Sequence, residues 1–221
     1  GKFATHPDYA TALVVAANRT CEAYWNRMDV QPMVFSDGAV AAVARRDHPR
    51  LRWLVTEVRT DGRYGEFYRL DVGGAAAPFG TGDATGAGVA EAPQVRDVWS
   101  VMEHFDYDAE QFAAFASLLD ERAAATTQRA CARIGMQTAE LTRLILLNDN
   151  QQAMASVAAA HGIALARTNH ELSAEYGHLG AADQLFCLMH HLRDGDLHTG
   201  DRVALISMGR GMHWACTLLE V

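Results

Sequence analysis

The C-terminal part of the chain is the region that most restricts its fold. It contains an apolar helix pattern followed by two strand-like runs, one over residues 202–206 and one that ends at Val221, with Gly209 and Gly211 between them. Glycine lacks a Cβ, so it permits a tight turn and a close approach of the backbone to a ligand. We therefore predict a closing β-hairpin, and a site formed by its loop together with the loop that carries His178.

Composition and charge restrict the class of protein. The chain has 221 residues, of which 49% are hydrophobic and 21% are charged, as in a globular enzyme that can bury a sizeable core. The net charge of −8, with Lys2 as the only lysine, argues against a nucleic-acid surface. The sequence shows no apolar run long enough to span a membrane and no signal-peptide pattern. We predict a cytoplasmic protein that binds neither nucleic acid nor membrane.

Apolar periodicity predicts an α/β fold. Strands are predicted over residues 12–17, 38–45, 51–60, 66–70 and 144–147. The helical period predicts helices over residues 108–134, with Asp108 as the N-cap, and over residues 151–161 and 181–192. Residues 71–88, rich in Gly and Ala, predict a loop. Strands that alternate with helices are expected to pair in parallel through right-handed crossovers.

The sequence offers no convincing metal site. The four cysteines are Cys21, Cys131, Cys187 and Cys216. They lack the paired spacing of metal ligands, and their apolar or helical surroundings predict buried, reduced thiols. The adjacent His190 and His191 have no third ligand at a suitable spacing, so we predict no metal.

Two blocks of the sequence resemble the thiolase-fold family, specifically its ketoacyl-acyl carrier protein synthase III branch and related polyketide acyltransferases. The first block is FSDGAVAAV (residues 35–43), which follows the strand predicted over residues 12–17 and is similar to the family's DGA segment. The second is GDRVALISMGRGMHWACTLLEV (residues 200–221), which is similar to the family's closing hairpin. The order and spacing of the two blocks carry the resemblance.

The resemblance implies a layered αβαβα thiolase-like fold of two half-repeats. Residues 1–107 would be the remainder of an incomplete N-terminal half, and residues 108–221 a complete C-terminal half. In the family the nucleophile, a cysteine or a serine, starts a buried helix before the strand that matches residues 12–16. That position would lie before Gly1, and Cys21 follows the strand. We therefore expect the nucleophile outside this chain, in a longer polypeptide or a partner subunit.

His178 is the predicted catalytic residue. It lies between glycines at the N-terminal side of a helix, where a neutral ring can accept a proton from a hydroxyl or thiol. A lone loop histidine more often only satisfies backbone groups, but the family match favours catalysis. Asp183, five residues later, either orients His178 as in a triad or only stabilises the helix N-terminus. Residues five apart do not share a helix face, so the pairing requires His178 to fold back.

Asn148 stands where the condensing enzymes of the family carry a histidine, and His178 stands where they carry an asparagine. That family pair donates hydrogen bonds to the developing enolate oxygen in decarboxylative condensation. Either Asn148 and His178 are a swapped pair that still stabilises an oxyanion, or decarboxylation has been lost and simple acyl transfer remains. The segment GHLGAAD (residues 177–183) is similar to that of starter-unit acyltransferases and favours the second reading.

The closing hairpin supplies the predicted substrate-binding residues. Gly209 and Gly211 either let the backbone approach the acyl group or only form a tight turn. Of the neighbours His213 and Trp214, one is expected to line the acyl pocket, and strand alternation alone does not say which. We predict substrate contacts for Gly209, Gly211 and Trp214.

The resemblance implies an acyltransferase that passes a short acyl group through a covalent acyl-enzyme, in polyketide, antibiotic or fatty-acid starter-unit priming. Acyl-CoA and acyl carrier protein would be its partners, no other cofactor is implied, and a homodimer would form through the strand at residues 12–17. One alternative is a decarboxylative ketoacyl synthase with Asn148 and His178 at the oxyanion. The other is a non-catalytic partner subunit of a heterodimeric ketosynthase.

Overall fold

The computed structural model describes residues 6–20, 27, 33–65, 67, 98–209 and 211–221. Its strands are β1 Thr11–Asn18, β2 Gly38–Arg45, β3 Arg52–Thr60, β4 Arg143–Ile145, β5 Arg202–Gly209 and β6 His213–Glu220. Its α-helices are α1 Val98–His104, α2 Ala109–Ala132, α3 Gln151–Ala160, α4 His170–Tyr176 and α5 Asp183–Arg193. The predicted α/β class is confirmed.

The described strands form two sheets. Strands β1 and β2 pair antiparallel, and a four-stranded sheet has the order β3-β6-β5-β4. Only β4 and β5 pair in parallel, whereas β3 and β5 both run antiparallel to β6. The prediction of consecutive parallel pairing is therefore wrong for these strands. A short hairpin connection between β5 and β6 permits only the antiparallel arrangement, and β3 adds to the open edge of β6.

The predicted division at residue 107 stays a prediction. Strand β3 precedes that boundary and pairs along its length with β6, the last strand of the chain. Residues before the boundary thus complete a sheet whose other strands come after it.

Local signals positioned most helices to within a few residues. The carboxylate of Asp108 accepts hydrogen bonds from the backbone N–H groups of Glu110 and Gln111 at 2.9 and 3.1 Å, which confirms it as the N-cap of α2. Helix α2 ends two residues earlier than predicted, and α3 begins at the predicted residue. Helix α4 was not predicted, because its seven residues are too few to show a clear helical period.

Two apolar clusters hold the elements that carry the site. The larger one packs α2 and α3 on the four-stranded sheet, with Leu144, Met154 and Trp214 among its fully buried members. The smaller one contains Ile145 of β4, Cys187 of α5 and four other side chains. Each large apolar side chain that is fully buried contributes about 1.5–3 kcal/mol. This packing places the start of α5 beside the carboxyl end of β4.

The remaining sequence predictions concern thiols, membrane spans and residues outside the described ranges. Cys131, Cys187 and Cys216 are buried and free, as predicted, whereas Cys21 lies outside the described residues. No helix among the described residues is long and apolar enough to cross a membrane. The predicted loop over residues 71–88 lies outside the described residues, as does the predicted strand over residues 66–70 apart from Phe67, which lies in a turn.

Candidate active site

His178 and Asp183 form a buried pair at the start of α5. The Nδ1 atom of His178 lies 2.6 Å from Oδ2 of Asp183, whose side chain has no exposed surface. A 3₁₀ turn over Gly180–Ala182 folds the chain back between them. Leu179 N–H donates to the other carboxylate oxygen at 2.7 Å. The fold-back that the pairing required is therefore present.

The loop before His178 depends on a glycine. Gly177 has φ 67° and ψ −166°, a backbone region occupied almost only by glycine. A Cβ at Gly177 would lie 2.8 Å from both Val34 O and Ser36 Oγ. The neighbouring His178 N–H donates to Val34 O at 2.8 Å, and Ser36 N–H donates to His178 O at 2.9 Å. Val34 and Ser36, the second of which belongs to the FSDGAVAAV block, thus hold the histidine loop in place.

Asn148 joins the same network. It is 1% exposed and lies three residues after the end of β4. Its backbone N–H donates to Asp183 Oδ2 at 2.9 Å, and its Nδ2 donates to Gly177 O at 2.7 Å. The structure therefore brings all three predicted catalytic residues, His178, Asp183 and Asn148, into one hydrogen-bonded group.

Two members of this group were not predicted from the sequence. The Asn169 side chain donates from Nδ2 to Oδ1 of Asn148 at 2.7 Å, and the thiol of Cys187 donates to the same oxygen at 3.4 Å. Asn169 lies in no motif, and it directly precedes the short helix α4, which the sequence did not predict. Burial raises the pKa of the Cys187 thiol to about 12, so it stays protonated.

A cleft of about 410 Å³ opens beside His178. Its walls include Ser36, Asn148, Asp149, Glu175 and His178 and no Lys or Arg side chain from the described part of the chain. The side chain of His178 is 14% exposed here. Burial raises the pKa of Asp149 above its ordinary value. The cleft gives small molecules access to the imidazole.

The hairpin residues do not line this cleft. Trp214 is 1% exposed, and its indole N–H donates to the backbone oxygen of Leu119 in α2 at 3.1 Å. Trp214 is therefore a core side chain. Gly211, with φ 77°, lies in the turn between β5 and β6, and Gly209 ends β5. Substrate contacts of Gly209, Gly211 and Trp214 stay predictions.

The arrangement can perform acid–base chemistry. A carboxylate at Nδ1 holds the ring orientation and stabilises the imidazolium, which leaves Nε2 to exchange a proton with a group in the cleft. No group of three His, Cys, Asp or Glu side chains among the described residues could hold a metal ion.

Comparisons with known proteins agree with this fold. Residues 131–221 match the family model for the C-terminal part of 3-oxoacyl-[acyl-carrier-protein] synthase III. The solved structure of the acyltransferase ChlB3 covers the whole chain with a TM-score of 0.79 at 21% identity. The solved structure of 3-oxoacyl-(acyl carrier protein) synthase III from Pseudomonas aeruginosa also covers the whole chain, with a TM-score of 0.72 at 22% identity. The chain spans 61% of each of these structures. The thiolase-like fold is confirmed.

Curated relatives point to the same family. The chain is 27% identical over 220 residues to the β-ketoacyl-[acyl-carrier-protein] synthase III of Gloeobacter violaceus, and covers 61% of its length. It is 24% identical over 215 residues to the protein of that name from Chlamydia trachomatis, and covers 60% of its length. The chain spans about 60% of the curated relatives that it matches. The chain is thus similar to proteins of this family over most of its length, and residues 131–221 match the family's C-terminal part.

Proposed function

We propose that this chain supplies the acid–base part of an acyltransferase that acts through a covalent acyl-enzyme. The observation that carries the proposal is the His178–Asp183 pair, with an Nδ1–Oδ2 distance of 2.6 Å, beside an open cleft. The acyl donor is a thioester of coenzyme A or of acyl carrier protein. The family name supports acyl carrier protein as a carrier, and the name of the solved acyltransferase supports acyl transfer.

Each group has a defined role in the proposed reaction. A hydroxyl or thiol nucleophile gives its proton to Nε2 of His178 as it attacks the thioester carbonyl carbon. The tetrahedral intermediate then collapses, the carbon–sulfur bond breaks, and the leaving thiolate takes the proton from the imidazolium. Asp183 stabilises that imidazolium. We assign none of the described residues as the nucleophile.

The state of Asn148 favours acyl transfer over decarboxylative condensation. An oxyanion stabiliser needs a donor that points to the position of the developing charge. Nδ2 of Asn148 instead donates to Gly177 O, and Oδ1 accepts from Asn169. The oxygen and one of the two N–H groups of this amide are therefore engaged within the protein, which leaves a single N–H for an oxyanion and supports the reading that decarboxylation has been lost.

A decarboxylative ketoacyl synthase is the second candidate function. It is favoured by the names of the relatives from Gloeobacter violaceus and Chlamydia trachomatis. Release of carbon dioxide from a malonyl thioester, in step with product, would distinguish it from simple transfer. Polyketide or antibiotic starter-unit priming, a homodimer and a cytoplasmic location are finer parts of the proposal.

The test is the intact mass of the full natural polypeptide after incubation with a short acyl thioester such as acetyl-CoA. We expect a gain of one acyl group, and loss of the rapid acylation phase in His178→Ala. The matched control is His198→Ala, because the side chain of His198 is 81% exposed and lies outside the cleft.

Two results would overturn the proposal. If His178→Ala acylates at the wild-type rate, His178 is not the base. If the folded wild-type protein gains no mass with thioesters of either coenzyme A or acyl carrier protein, the alternative of a non-catalytic partner subunit becomes the better explanation.

A further inference from the structure

We propose that Asn169 is a positioning residue for the His178–Asp183 pair and acts through the side chain of Asn148. The inference rests on the proposed function, since it concerns the geometry of the same base. Asn169 lies at the start of α4 and is 1% exposed, so it reaches neither the cleft nor a substrate. Any effect on catalysis must pass through its neighbours.

Asn169 is held rigidly by the backbone at the end of β4. Its Oδ1 accepts from the N–H of Leu146 at 2.7 Å, and its Nδ2 donates to the carbonyl of Leu146 at 3.2 Å. These two bonds define which end of the Asn169 amide is the donor. The same Nδ2 then donates to Oδ1 of Asn148 at 2.7 Å.

That contact determines the orientation of the Asn148 amide. With Asn169 and the Cys187 thiol both donating to one side of Asn148, the oxygen has to be on that side. The NH₂ group consequently faces the carbonyl of Gly177, to which it donates at 2.7 Å. If the Asn148 amide were flipped, its NH₂ group would face the NH₂ group of Asn169, and its oxygen would face the carbonyl oxygen of Gly177.

Asn148 in turn contacts Asp183 directly, and it contacts Gly177, the residue that precedes His178. Through Nδ2 it fixes the Gly177 carbonyl, which belongs to the peptide bond that enters His178. Through its backbone N–H it donates at 2.9 Å to Oδ2 of Asp183, the same oxygen that faces His178 Nδ1. Asn169 thus stabilises a single relative placement of the imidazole and the carboxylate.

Cys187 does not substitute for Asn169 in this role. Its sulfur lies 3.4 Å from Oδ1 of Asn148, and an S–H group is a weak donor. The Asn169 amide provides the shorter and stronger of the two contacts. The geometry therefore assigns the orienting contact to Asn169.

The first test uses Asn169→Asp in the full natural polypeptide. The carboxylate can still accept from Leu146 N–H, but it has no proton to donate to Asn148. We expect the single-turnover acylation rate with acetyl-CoA to fall by about 10- to 100-fold at pH 8, as for residues that orient a catalytic group. Protonation restores a donor, so the ratio of wild-type to variant rate should shrink as the pH falls.

The second test follows His178 directly. ¹⁵N NMR of the imidazole reports its tautomer and its titration in Asn169→Ala and Asn169→Asp. We expect both to change relative to wild type. Because this readout needs no acylation, a changed His178 titration in a protein that never acylates would reject the proposed function and retain the positioning role.

Thr127→Ala is the matched control. Thr127 is fully buried, and its hydroxyl lies 3.0 Å from Nε2 of His161, between α2 and α3 and away from the cleft. The Thr127→Ala substitution removes a buried hydrogen bond and leaves the hydrogen bonds of Asn148 unchanged. The proposal is overturned if folded Asn169 variants leave the His178 signals unchanged, or if they slow acylation no more than Thr127→Ala does.

Discussion

Helix α5 carries a histidine–aspartate pair at each end, and the two pairs have the same sequence spacing. His178 and Asp183 meet at its N-terminus, with 2.6 Å between Nδ1 and Oδ2. His191 and Asp196 meet at its C-terminus, with 2.8 Å between the same atoms. In both pairs the residues are five positions apart. By spacing and distance alone, the two are equivalent.

The two pairs differ in the burial of their side chains. In the first pair the carboxylate is fully buried and the imidazole lines the cleft. In the second the side chain of Asp196 is 47% exposed and that of His191 only 8%. Nε2 of His191 is buried and has no hydrogen-bond partner among the described residues. Burial lowers the pKa of His191 despite its hydrogen bond with Asp196.

The difference shows what a histidine–carboxylate contact needs in order to act on a substrate. The nitrogen that does not face the carboxylate has to reach a substrate, and the carboxylate has to be shielded from water so that its effect on the ring is strong. The pair at the N-terminus of α5 combines a fully buried carboxylate with an imidazole that lines the cleft. The pair at the C-terminus instead closes the helix end, where Asp196 N–H donates to His191 O at 3.0 Å.

The largest expected contrast comes from replacing each aspartate by asparagine. In Asp183→Asn the new NH₂ group meets a backbone N–H in either orientation, that of Asn148 or that of Leu179, and the charge that stabilises the imidazolium is lost. Acylation should therefore slow by about 10³- to 10⁴-fold. Asp196→Asn should leave the rate within about twofold of wild type, because that pair does not face the cleft. Single-turnover mass spectrometry measures both rates. If both substitutions slowed acylation equally, the two histidine–aspartate pairs would not differ in function.

A glycine directly precedes one member of each pair, and the two glycines should respond differently to alanine. Gly177→Ala should lower the free energy of unfolding by about 2–4 kcal/mol, since a Cβ would meet Val34 and Ser36 in a backbone region that disfavours side chains. At Gly195, where φ is 83°, an added Cβ would meet no described atom within 4 Å, so Gly195→Ala should cost about 1–2 kcal/mol. Urea denaturation compares them. A smaller loss at Gly177 than at Gly195 would contradict the contacts described.

The buried imidazole of His191 should make stability depend on pH. Its lowered pKa means that the unfolded chain binds a proton more readily than the native state, so stability is complete above the unfolded pKa of about 6.5 and falls as the pH drops below it. One such group contributes at most about 1.4 kcal/mol per pH unit.

His191→Gln should reduce this slope in denaturation experiments between pH 7 and pH 5. The buried His161, whose pKa burial also lowers, should leave a residual slope. A slope identical to that of wild type would show that His191 is charged in the native state.

The smallest expected effect concerns a carboxyl group in the wall of the cleft. Burial raises the pKa of Asp149, so its charged form destabilises the native state as the pH rises through that pKa. Asp149→Asn should raise the free energy of unfolding at pH 7 by about 1 kcal/mol or less. The gain should vanish toward pH 4.

The control is Asp194→Asn, whose side chain is 49% exposed beside the second pair. Thermal unfolding at pH 7 and at pH 4 measures both variants. We expect no gain in stability from Asp194→Asn at either pH. Destabilisation by Asp149→Asn at pH 7 would contradict the burial argument.

Sequence patterns predicted the structure accurately where the interactions are local. The helix that begins after Asp108 and the strand Gly38–Arg45 follow from capping chemistry and from alternation within a few residues. The predicted strand pairing was wrong, because the contact of β3 with β6 joins residues more than a hundred positions apart. A substrate contact was predicted for Trp214, whose indole packs under α2 in the core.

The candidate site shows the same division. His178, Asp183 and Asn148 were identified from a motif and from their spacing, and the structure places them in contact. Asn169 was missed, because its bonds to Leu146 and Asn148 exist only when α4 folds against the end of β4. No local pattern marks an asparagine that acts through such a contact.

By itself, then, the sequence determined the secondary structure of most described elements, the family likeness and the identity of the candidate base, because capping, periodicity and motif spacing are short-range properties. Only the tertiary structure decided which of two equally spaced histidine–aspartate pairs faces a cleft. Burial is the reason, since it is the sum of contacts from strands and helices distant in the chain. It shields Asp183 completely while leaving Asp196 half exposed.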